Sequence, residues 1–399
     1  MEIFEVITKK VVILHRCFTT TIRPDDMQEV IHIVAFNVPL PASYGGVIDV
    51  FYRLKALSES GVRIHLHCFD YGRGPAAELE RWCEEVHYYR RDMSPLRLLD
   101  RRPFIVASRH SNELTQRLLQ DNHPILVEGL HCCRLLEDAT LLRDRLVMVR
   151  AHNIEADYYA HLASTERRWG RRLYLRQEAR KLLRYEPILR RASAVFAISP
   201  ADRQALMAMG CPNVLLSTGM HPFDEVTSQL GHGDYVLYHG NLAVAENHHA
   251  VEYLLDNVFE GSSHRLVVAG WQPPDWLRRR IGAMSNVTLV ASPDDITMQR
   301  LVAEAQVNLL VTQQATGLKL KLLNALYAGR FCLVNSDMVA GTGLDGLCTV
   351  ADTPKALRSA LDSLMAQEFT SVHLGQRRIA MSPFSPRNAI GPILSVIGE

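Results

Sequence analysis

The sequence predicts an α/β protein made of two doubly wound domains that face each other across a cleft. Short apolar runs, typical of buried parallel strands, alternate along the chain with stretches of helical periodicity. A stretch rich in glycine, proline, serine and histidine interrupts this alternation between residues 217 and 234, and it has the composition of a linker. The chain has 399 residues, which is long enough for two or three domains.

Composition excludes several classes of protein. The chain has 44 basic and 43 acidic residues, so it has no overall positive field that would attract nucleic acid. It contains no apolar run of about 18 residues, the length that is read as a membrane-spanning helix. Its eight cysteines form neither a C-x-x-C pair nor a cysteine–histidine metal spacing, which indicates reduced thiols and a cytoplasmic protein.

The first domain is expected at residues 27–216, after an extension of uncertain structure at residues 1–26. Its first strand, at residues 31–36, leads to Gly45 and Gly46, which open a helix with apolar residues at helical spacing. This step resembles a nucleotide-binding turn, although the two glycines are also consistent with a plain tight turn. It lacks the G-x-G-x-x-G pattern and the later acidic residue of an NAD enzyme.

Polar residues follow several further strands of this domain. Glu128 ends the strand predicted at residues 124–128, and His152 with Asn153 follows the strand at residues 146–150. Because ligands bind at the carboxyl ends of parallel strands, this position favours a functional role for His152 over a structural one. His65 and His67 alternate along another strand, and we interpret them as packing or surface residues rather than metal ligands.

A basic helix is predicted from Glu166 to Arg191. Its basic residues are Arg167, Arg168, Arg171, Arg172, Arg176, Arg180, Lys181, Arg184, Arg190 and Arg191. Its apolar side is formed by Trp169, Leu173, Leu175, Leu182 and Leu183. The favoured interpretation is a connecting helix with a solvated face. The alternative is a surface that contacts anionic lipid headgroups at a membrane.

The second domain is expected at residues 235–381, and its most informative segment is a strand–turn–helix–strand unit at residues 307–335. Lys319 and Lys321 lie in the first helical turn, where the helix dipole disfavours cations by about 0.3–1 kcal/mol each. A bound anion would reverse that sign. The pattern therefore predicts that Lys321 contacts a diphosphate and that Asn324, on the same face, bonds a sugar hydroxyl. Two solvated lysines are the alternative.

Several motifs in this order are similar to those of retaining GT-B nucleotide-sugar glycosyltransferases of the family 4, group 1 type. They are PLPASYGG, AHNIEADYY, AISPADRQAL, YHGNLAVAENHHAVEYL, VVAGWQPP, TGLKLKLLNALYAGRFCLVNSDMVAGTGL and the closing SPFSPRNAIGPILSVIG. The resemblance covers nearly the whole chain from Met27. It implies two Rossmann-like domains and a final helix, at residues 382–399, that crosses back to the first domain.

The resemblance also implies roles for individual residues. Gly45 and Gly46 would lie near the diphosphate or the acceptor, and His152 would touch the transferred sugar. Lys321 would neutralise the leaving diphosphate. The remaining donor-site residues would be Gly240, Asn241, Gly317, Lys319 and Asn324.

The implied activity is that of a retaining hexosyltransferase that uses neither a metal nor a cofactor. It would move a sugar from a nucleoside-diphosphate sugar to a glycan or lipid-linked glycan in polysaccharide biosynthesis, at the inner face of the membrane. Thr316 and Asn324 replace two glutamates that are common in the family. The usual Arg and Lys after the Gly240 turn are also missing, and Ala243 and Glu246 stand nearby. A catalytically inactive binding partner and a sugar-nucleotide epimerase therefore stay open as alternatives.

Overall fold

The fold consists of two parallel β-sheets, each covered by helices on both faces. The structure is a computed structural model that describes residues 29–166, 168–313 and 320–398. The predicted extension at residues 1–26, and the predictions made for Arg167, Thr316, Gly317 and Lys319, lie outside these residues.

The first sheet has seven strands in the order β3-β2-β1-β4-β5-β6-β7. They are β1 Val30–Ala35, β2 Arg63–Asp70, β3 Glu85–Arg90, β4 Ile125–Glu128, β5 Val147–Ala151, β6 Ala194–Ala197 and β7 Val214–Leu216. All neighbouring pairs are parallel, with His32 of β1 opposite His65 of β2 and Ile125 of β4. Such a sheet needs cover on both faces, which explains its nearly continuous apolar strands.

Helices and shorter turns connect these strands. The helices are α1 Gly45–Glu59, α2 Phe104–Ala107, α3 Asn112–Leu118, α4 Glu155–Thr165, α5 Trp169–Tyr185 and α6 Pro200–Ala208. The 3-10 segments are Ala77–Arg81, Pro95–Leu99, Leu130–Glu137 and Glu186–Arg191. In α1 the residues Val47, Val50, Leu54 and Leu57 are buried against the sheet, as their helical spacing predicts.

The second sheet has six parallel strands in the order β10-β9-β8-β11-β12-β13. They are β8 Val236–His239, β9 Leu266–Gly270, β10 Val287–Ala291, β11 Val307–Leu310, β12 Phe331–Val334 and β13 Thr349–Val350. The helices are α7 Ala245–Leu254, which continues as a π-helical turn at Leu255–Phe259, α8 Asp275–Gly282, α9 Asp295–Glu304, α10 Leu320–Ala328, α11 Ser336–Val339, α12 Pro354–Ala366 and α13 Ser371–Met381. A 3-10 turn at Asp345–Leu347 precedes β13.

Each sheet has a topological switch point, where the connections from two neighbouring strands lead toward opposite edges of the sheet. In the first sheet β1 lies between β2 and β4, and in the second sheet β8 lies between β9 and β11. A crevice opens at the carboxyl ends of the strands at such a point, and ligands of doubly wound proteins bind there. The segments after β1, β4, β8 and β11 are therefore the places to examine for a site.

The last part of the chain returns to the first sheet. After a 3-10 turn at Ser382–Phe384, helices α14 Pro386–Ala389 and α15 Gly391–Ile397 pack on α1 and β6. Ala389, Ile390, Ile393, Val396 and Ile397 belong to the apolar core of the first sheet. Side chains of the segment before β8 hold this return in place, since Ser217 Oγ donates to the carbonyl of Ala389 at 2.7 Å.

Two sequence expectations need correction. The basic segment is not one long helix, because α5 ends at Tyr185 and residues Glu186–Arg191 form a 3-10 turn that contains Pro187. Its apolar residues are also divided: Leu175 and Leu182 are buried, whereas Trp169, Leu173 and Leu183 are exposed. Within the described part of the chain, no helix combines the length and the apolar character needed to cross a bilayer.

Gly329, the residue after helix α10, does not have a positive φ. Helix α10 does end at Ala328, directly before it. The glycine is required for packing, because a Cβ atom there would lie 2.2 Å from Nδ2 of Asn308. The reason for the glycine is close approach of β11 rather than a backbone turn.

Candidate functional site

The crevice of the first sheet opens between the segments that follow β1 and β4. Helix α1 begins there at Gly45, and no side chain within the described residues caps its amino end. Its first-turn N–H groups are therefore available to an anion. Gly46 approaches the ring of Phe36 so closely that a Cβ atom would lie 2.8 Å from Cζ. Both glycines thus lie at the carboxyl end of the first sheet, where the sequence predicts a ligand.

Behind the crevice lies a buried network of two carboxylates, two arginines and His152. Arg53 donates to Glu128 Oε1 at 2.8 Å and also donates to Asp49. Arg150 contacts both oxygens of Asp49 at 3.3 Å and donates to the carbonyls of Ala197, Ser217 and Thr218. The backbone N–H of Met220 donates to Asp49 at 2.6 Å. The network therefore ties α1, β4 and β5 to the segment that leads into the second domain.

His152 follows β5 and is held within this network. Its Nε2 lies 3.0 Å from Oε2 of Glu128, and its Nδ1 lies 3.6 Å from Oδ2 of Asp49. Both ring nitrogens therefore face buried carboxylates. The same ring meets Gly129, which has a φ of 80° and where a Cβ atom would lie 3.2 Å from Cδ2 of His152. Glycine is required at that position, since a side chain would be strained there and would also displace the imidazole.

The charges of the network balance one another. Burial acts to raise the pKa of the Asp49 carboxyl, but the charges of Arg150, Arg53 and His152 hold it well below its usual value. The pKa of Glu128 is also lowered, because the Arg53 charge and the His152 hydrogen bond outweigh its burial. The Asp49, Glu128 and His152 ligand atoms are close enough to hold a metal. The three side chains are at most 8% exposed, however, so a divalent cation would have no path to them from solvent.

The crevice of the second sheet contains those predicted donor residues that the structure describes. Gly240 and Asn241 follow β8, and the side chain of Asn247 in α7 donates to the carbonyl of Asn241 at 2.9 Å. Lys321, in the first turn of α10 that the structure describes, donates to Oδ1 of Asn247 at 3.0 Å. Its ammonium also lies 5.5 Å from the ring centre of Tyr238. The fold therefore brings Lys321 to the Gly240 turn, with Asn247 as the bridge between them.

A close backbone approach supports this turn. A Cβ atom on Gly270, the last residue of β9, would lie 1.9 Å from the carbonyl oxygen of Gly240. Only glycine allows the two strand ends to come this near. Beside them His239 is buried, and burial together with the Lys321 charge lowers the pKa of its imidazole to about 3. The turn therefore has the neutral imidazole of His239 and the ammonium group of Lys321 beside it.

Asn324 lies on α10 one turn after Lys321, and its side-chain oxygen is unusual. This Oδ1 atom is inaccessible to solvent and has no hydrogen-bond partner among the residues that the structure describes. An unpaired buried acceptor costs about 1–3 kcal/mol. A hydroxyl group of a ligand would satisfy it, which agrees with the role that the sequence predicts for Asn324.

The two crevices face each other. A Cβ atom on Gly45 would lie 4.0 Å from Cδ1 of Leu320, the first described residue of α10. A cavity of about 320 Å³ lies between the two halves and has residues of both in its wall. Asn153, Asp157 and Tyr158 line it from the first half, and Gly341 and Thr342 line it from the second. Gly45 of the first crevice thus lies close to Leu320 of α10, whereas none of the predicted site residues that the structure describes is in the wall of this cavity.

Sequence reasoning missed the residues that support the site from behind. Asn247 was read only as part of a helix, and Asp49, Arg53 and Arg150 were not considered. The available signal was an arginine at the end of the apolar run LVMVR, since a charge at a buried strand end needs a partner. The partner could not be identified, because Arg150 and Asp49 are 101 residues apart.

Comparisons with known proteins identify the family of the second domain and the fold of the chain. Residues 233–367 match the family model described as Glycosyl transferases group 1. This part of the chain is a group 1 glycosyl transferase domain. The matched residues include the Gly240 turn, Lys321 and Asn324, which lie in the crevice of the second sheet.

A curated relative and several solved structures extend the comparison beyond this domain. The chain is 25% identical over 331 residues to an uncharacterized 44.6 kDa protein in the cps region of Klebsiella pneumoniae, with 78% of this chain and 84% of that protein covered.

Among solved structures, Anabaena HepE in complex with UDP and glucose has a TM-score of 0.62 at 12% identity, covering 92% of this chain and 99% of that one. Sucrose-phosphate synthase from Thermosynechococcus elongatus has a TM-score of 0.59 at 15% identity, covering 93% and 94%. The glycosyl transferase domain is thus part of a GT-B fold that spans nearly the whole chain.

Proposed function

We propose that this protein transfers a hexose from a nucleoside-diphosphate sugar to a glycan or lipid-linked glycan, with retention of anomeric configuration. The main support is that Lys321 lies beside the Gly240 turn in the crevice of the second sheet, one helical turn from an Asn324 oxygen that has no hydrogen-bond partner among the described residues. The related protein from a cps region supports a role in polysaccharide biosynthesis. HepE was solved with UDP, so UDP-sugars are the first donors to test.

In this proposal the donor lies across the second crevice. The Asn324 oxygen accepts a hydrogen bond from a nucleotide hydroxyl, and Lys321 faces the diphosphate together with the backbone at Gly240 and Asn241. Negative charge accumulates on the diphosphate as the anomeric bond breaks. A preorganised ammonium and oriented N–H groups stabilise that charge in the transition state, and such electrostatic stabilisation is usually the largest contribution to catalysis. No metal or cofactor has a part in this donor chemistry.

The first crevice supplies the acceptor side. In this proposal the N–H groups at Gly45 and Gly46, which no described side chain caps, face the acceptor, and His152 is kept in place by Glu128 and Asp49. Glu128 is fully buried and paired with Arg53, so we do not assign it as a general base. In a retaining reaction the departing phosphate oxygen can accept the acceptor proton, and this assignment requires no protein base.

Nucleotide binding tests the donor site directly. UDP, GDP and their sugars are added to the full chain, and the thermal midpoint is measured, since a ligand of the folded state must raise it. We expect one nucleotide class to raise the midpoint of the native protein and of Lys355→Ala, whose lysine is exposed on α12. We expect Lys321→Ala to lose most of the rise. If Lys321→Ala and Lys355→Ala respond equally, the assignment of Lys321 is wrong.

Turnover distinguishes the enzyme from an inactive binding partner. Release of UDP or GDP is measured with each sugar nucleotide in the presence of EDTA, and the anomeric configuration of the product is followed by NMR. We expect metal-independent release that Lys321→Ala reduces at least tenfold, and a product with the anomeric configuration of the donor. Binding without any turnover would favour the inactive partner, and conversion of the donor sugar to its epimer would favour an epimerase.

We further propose that the protein works at the cytoplasmic face of a membrane, held there by one surface of the first domain. Exposed apolar residues Trp169, Leu173 and Leu183 recur with Arg176 and Arg180 on one face of α5. The Pro95–Leu99 turn lies beside this helix, because Nζ of Lys181 donates to the carbonyl of Leu98 at 2.9 Å. Exposed leucines and an aromatic ring among arginines match an interfacial anionic-lipid surface.

Vesicle binding tests this surface. The native chain is sedimented with vesicles of neutral lipid alone or with added anionic lipid, and the bound fraction is compared. We expect binding only to the anionic vesicles, weakened strongly by the double change Trp169→Glu with Leu99→Glu. The matched control is Ile296→Glu, which alters an equally exposed apolar residue on α9 of the other half. Equal loss in the control and the double variant would contradict the proposal.

A further inference from the structure

A cluster of histidines lies at the amino end of the first sheet, on the edge opposite the interdomain cavity. His32 belongs to β1 and His65 to β2, and Asp121 and His123 precede β4. The ring of His32 lies 5.2 Å from that of His65 and 6.1 Å from that of His123, measured between ring centres. The mechanism proposed above uses none of these residues.

Three members of the cluster are arranged as a ligand set. One ring nitrogen each of His32 and His65 and one carboxylate oxygen of Asp121 all lie within 4.8 Å of one another. Nε2 of His32 is 3.0 Å from both oxygens of Asp121. Oδ1 of Asp121 also accepts from Arg145 and from the backbone of His123, both at 3.0 Å. Among the hydrogen bonds of the described residues, Oδ2 contacts only His32.

Outer groups fix the orientation of the His32 ring. Its Nδ1 lies 2.9 Å from Nε2 of His67, whose Nδ1 lies 3.0 Å from the hydroxyl of Tyr89. The hydrogen bonds that link Tyr89, His67 and His32 allow two proton arrangements. In the metal-free protein Nε2–H of His32 donates to Asp121. If a cation replaces that proton, His32 donates from Nδ1 to His67 and its Nε2 lone pair binds the ion. A hydrogen bond from the far nitrogen of a histidine is what orients such a ring toward a metal.

We propose that His32, His65 and Asp121 bind a divalent transition metal of the zinc class. Two imidazoles and one carboxylate are ligands that Zn²⁺ prefers, and water would complete a four-coordinate site. The Arg145 charge acts on Oδ1 of Asp121 and leaves Oδ2 for the ion. The side chains of Asp121 and His65 are 29% and 16% exposed, which gives the ion a path from solvent.

The place of this site in the fold defines its role. Its ligands come from β1, β2 and the segment before β4, which are adjacent in the sheet order. A bound ion would therefore join three neighbouring strands at the end remote from the cavity. It stabilises the folded first domain and has no part in sugar transfer.

The test measures metal binding by the full chain without a histidine tag, after treatment with EDTA and its removal. Cobalt(II) is titrated in, and visible absorption reports the number and geometry of bound ions. Zinc is added in a second experiment that follows the thermal midpoint. The variants are His65→Asn and Asp121→Asn. The control is His87→Gln, which changes a ring stacked on His67 but outside the ligand set.

We expect one four-coordinate cobalt ion per chain and a zinc-dependent rise of several degrees for the native protein and for His87→Gln. Both responses should be lost in His65→Asn and in Asp121→Asn, while EDTA leaves the rate of sugar transfer per folded molecule unchanged. A native chain that binds no cobalt overturns the proposal without any variant. So does binding that survives in Asp121→Asn or is lost equally in His87→Gln.

Discussion

The amide of Asn324 shows how a single residue can be unfavourable in the ligand-free protein and favourable in the complex. Its oxygen is buried without a hydrogen-bond partner within the described structure, although the residue lies on a well-packed helix. The lost solvation lowers the stability of the free protein. In the proposed donor site a ligand hydroxyl would pair with the same atom, so the cost would become binding specificity.

We therefore expect Asn324→Ala to have opposite effects on stability and on binding. The ligand-free variant should be at least as stable as the native chain, because the change removes an unsatisfied acceptor. Its nucleotide affinity should fall by about 0.5–1.5 kcal/mol, the usual contribution of one hydrogen bond. Denaturant unfolding and nucleotide titration measure the two effects. Lower stability with unchanged affinity would show that Asn324 is structural.

The buried network around Asp49 is the opposite case, because its charges are paired and removing one of them should lower stability. Asp49→Asn leaves Arg53 and Arg150 buried with one carboxylate fewer, and breaking such a pair costs about 3–5 kcal/mol. We expect this loss in the free energy of unfolding by urea. Asp234→Asn is the matched control, since that carboxylate is 79% exposed and its change should cost less than about 0.5 kcal/mol. Similar losses in both variants would contradict the importance of burial.

Glu155, at the start of α4, predicts a pH dependence of stability. Burial raises the pKa of its carboxyl from 4.5 to about 7, although a hydrogen bond from Asn153 opposes the rise. Between these values the folded chain holds a proton that the unfolded chain has lost. Stability from this group is therefore complete below the unfolded pKa and falls as pH rises toward 7, by up to about 1.4 kcal/mol per pH unit.

Glu155→Gln should remove this contribution, because glutamine keeps the shape of the neutral acid. We expect the variant to match the native midpoint at about pH 5 and to exceed it increasingly up to about pH 8. Thermal unfolding across that range measures the difference. A constant difference between the two proteins would contradict the assignment to Glu155.

At the scale of elements, the contact between the ends of β8 and β9 determines the shape of the Gly240 turn. Gly270→Ala would place a methyl group within 1.9 Å of the Gly240 carbonyl, so one strand end must move. We expect a loss of about 1–3 kcal/mol in stability, typical of overpacking, together with weaker nucleotide binding.

Gly282→Ala is the matched control for this change. Gly282 ends α8, and a Cβ atom there would meet nothing within 4 Å. We expect that variant to be neutral or more stable by about 0.5–1 kcal/mol, because alanine restricts the unfolded chain. Equal nucleotide binding by the two alanine variants would contradict a role of the Gly270–Gly240 contact in nucleotide binding.

The strands and helices were the features of this molecule that could best be predicted from its sequence. Buried parallel strands such as LVMVR and RLVVA are short apolar runs, and helical periodicity filled the gaps between them, so both sheets could be predicted. The Gly240 turn and Lys321 could also be identified as candidates from the sequence, because a turn after a strand and a lysine at a helix start are local patterns.

Contacts between side chains on different strands could not be predicted from such local patterns. His32 and Asp121 are 89 residues apart, and Glu128 and Arg53 are 75 residues apart. Their proximity depends on the order of the strands, and periodicity contains no information about that order. His65 was consequently interpreted as a packing or surface residue, although the fold places it beside two further potential ligands. The exposure of Trp169 was missed for the same reason, since helical spacing alone does not show which face is covered.

At the scale of the whole molecule, the two sheets are joined twice. The segment before β8 connects them along the chain, and α14 and α15 return from the second half to the core of the first. His221 in the connecting segment also lies 2.7 Å from the carbonyl of Phe384 in the returning one. The stability of the first core therefore depends on residues that are distant in sequence.

Ile393→Ala tests this dependence. The side chain is fully buried in the first core, and such a truncation costs about 2–5 kcal/mol. We expect faster hydrogen exchange in β5 and β6, and little change in β9 and β10 of the second sheet. Faster exchange confined to the second sheet would show that α15 supports the other half.

The returning helices have a consequence for how the chain is made. Ribosomes release a protein from its amino end, and domains generally fold as they emerge. Here Ile390, Ile393 and Ile397 emerge after the entire second sheet, so the earlier core waits with an open apolar groove on α1 and β6. During synthesis the later half thus has the opportunity to reach its final form first, and the nascent earlier half needs protection from aggregation until these isoleucines arrive.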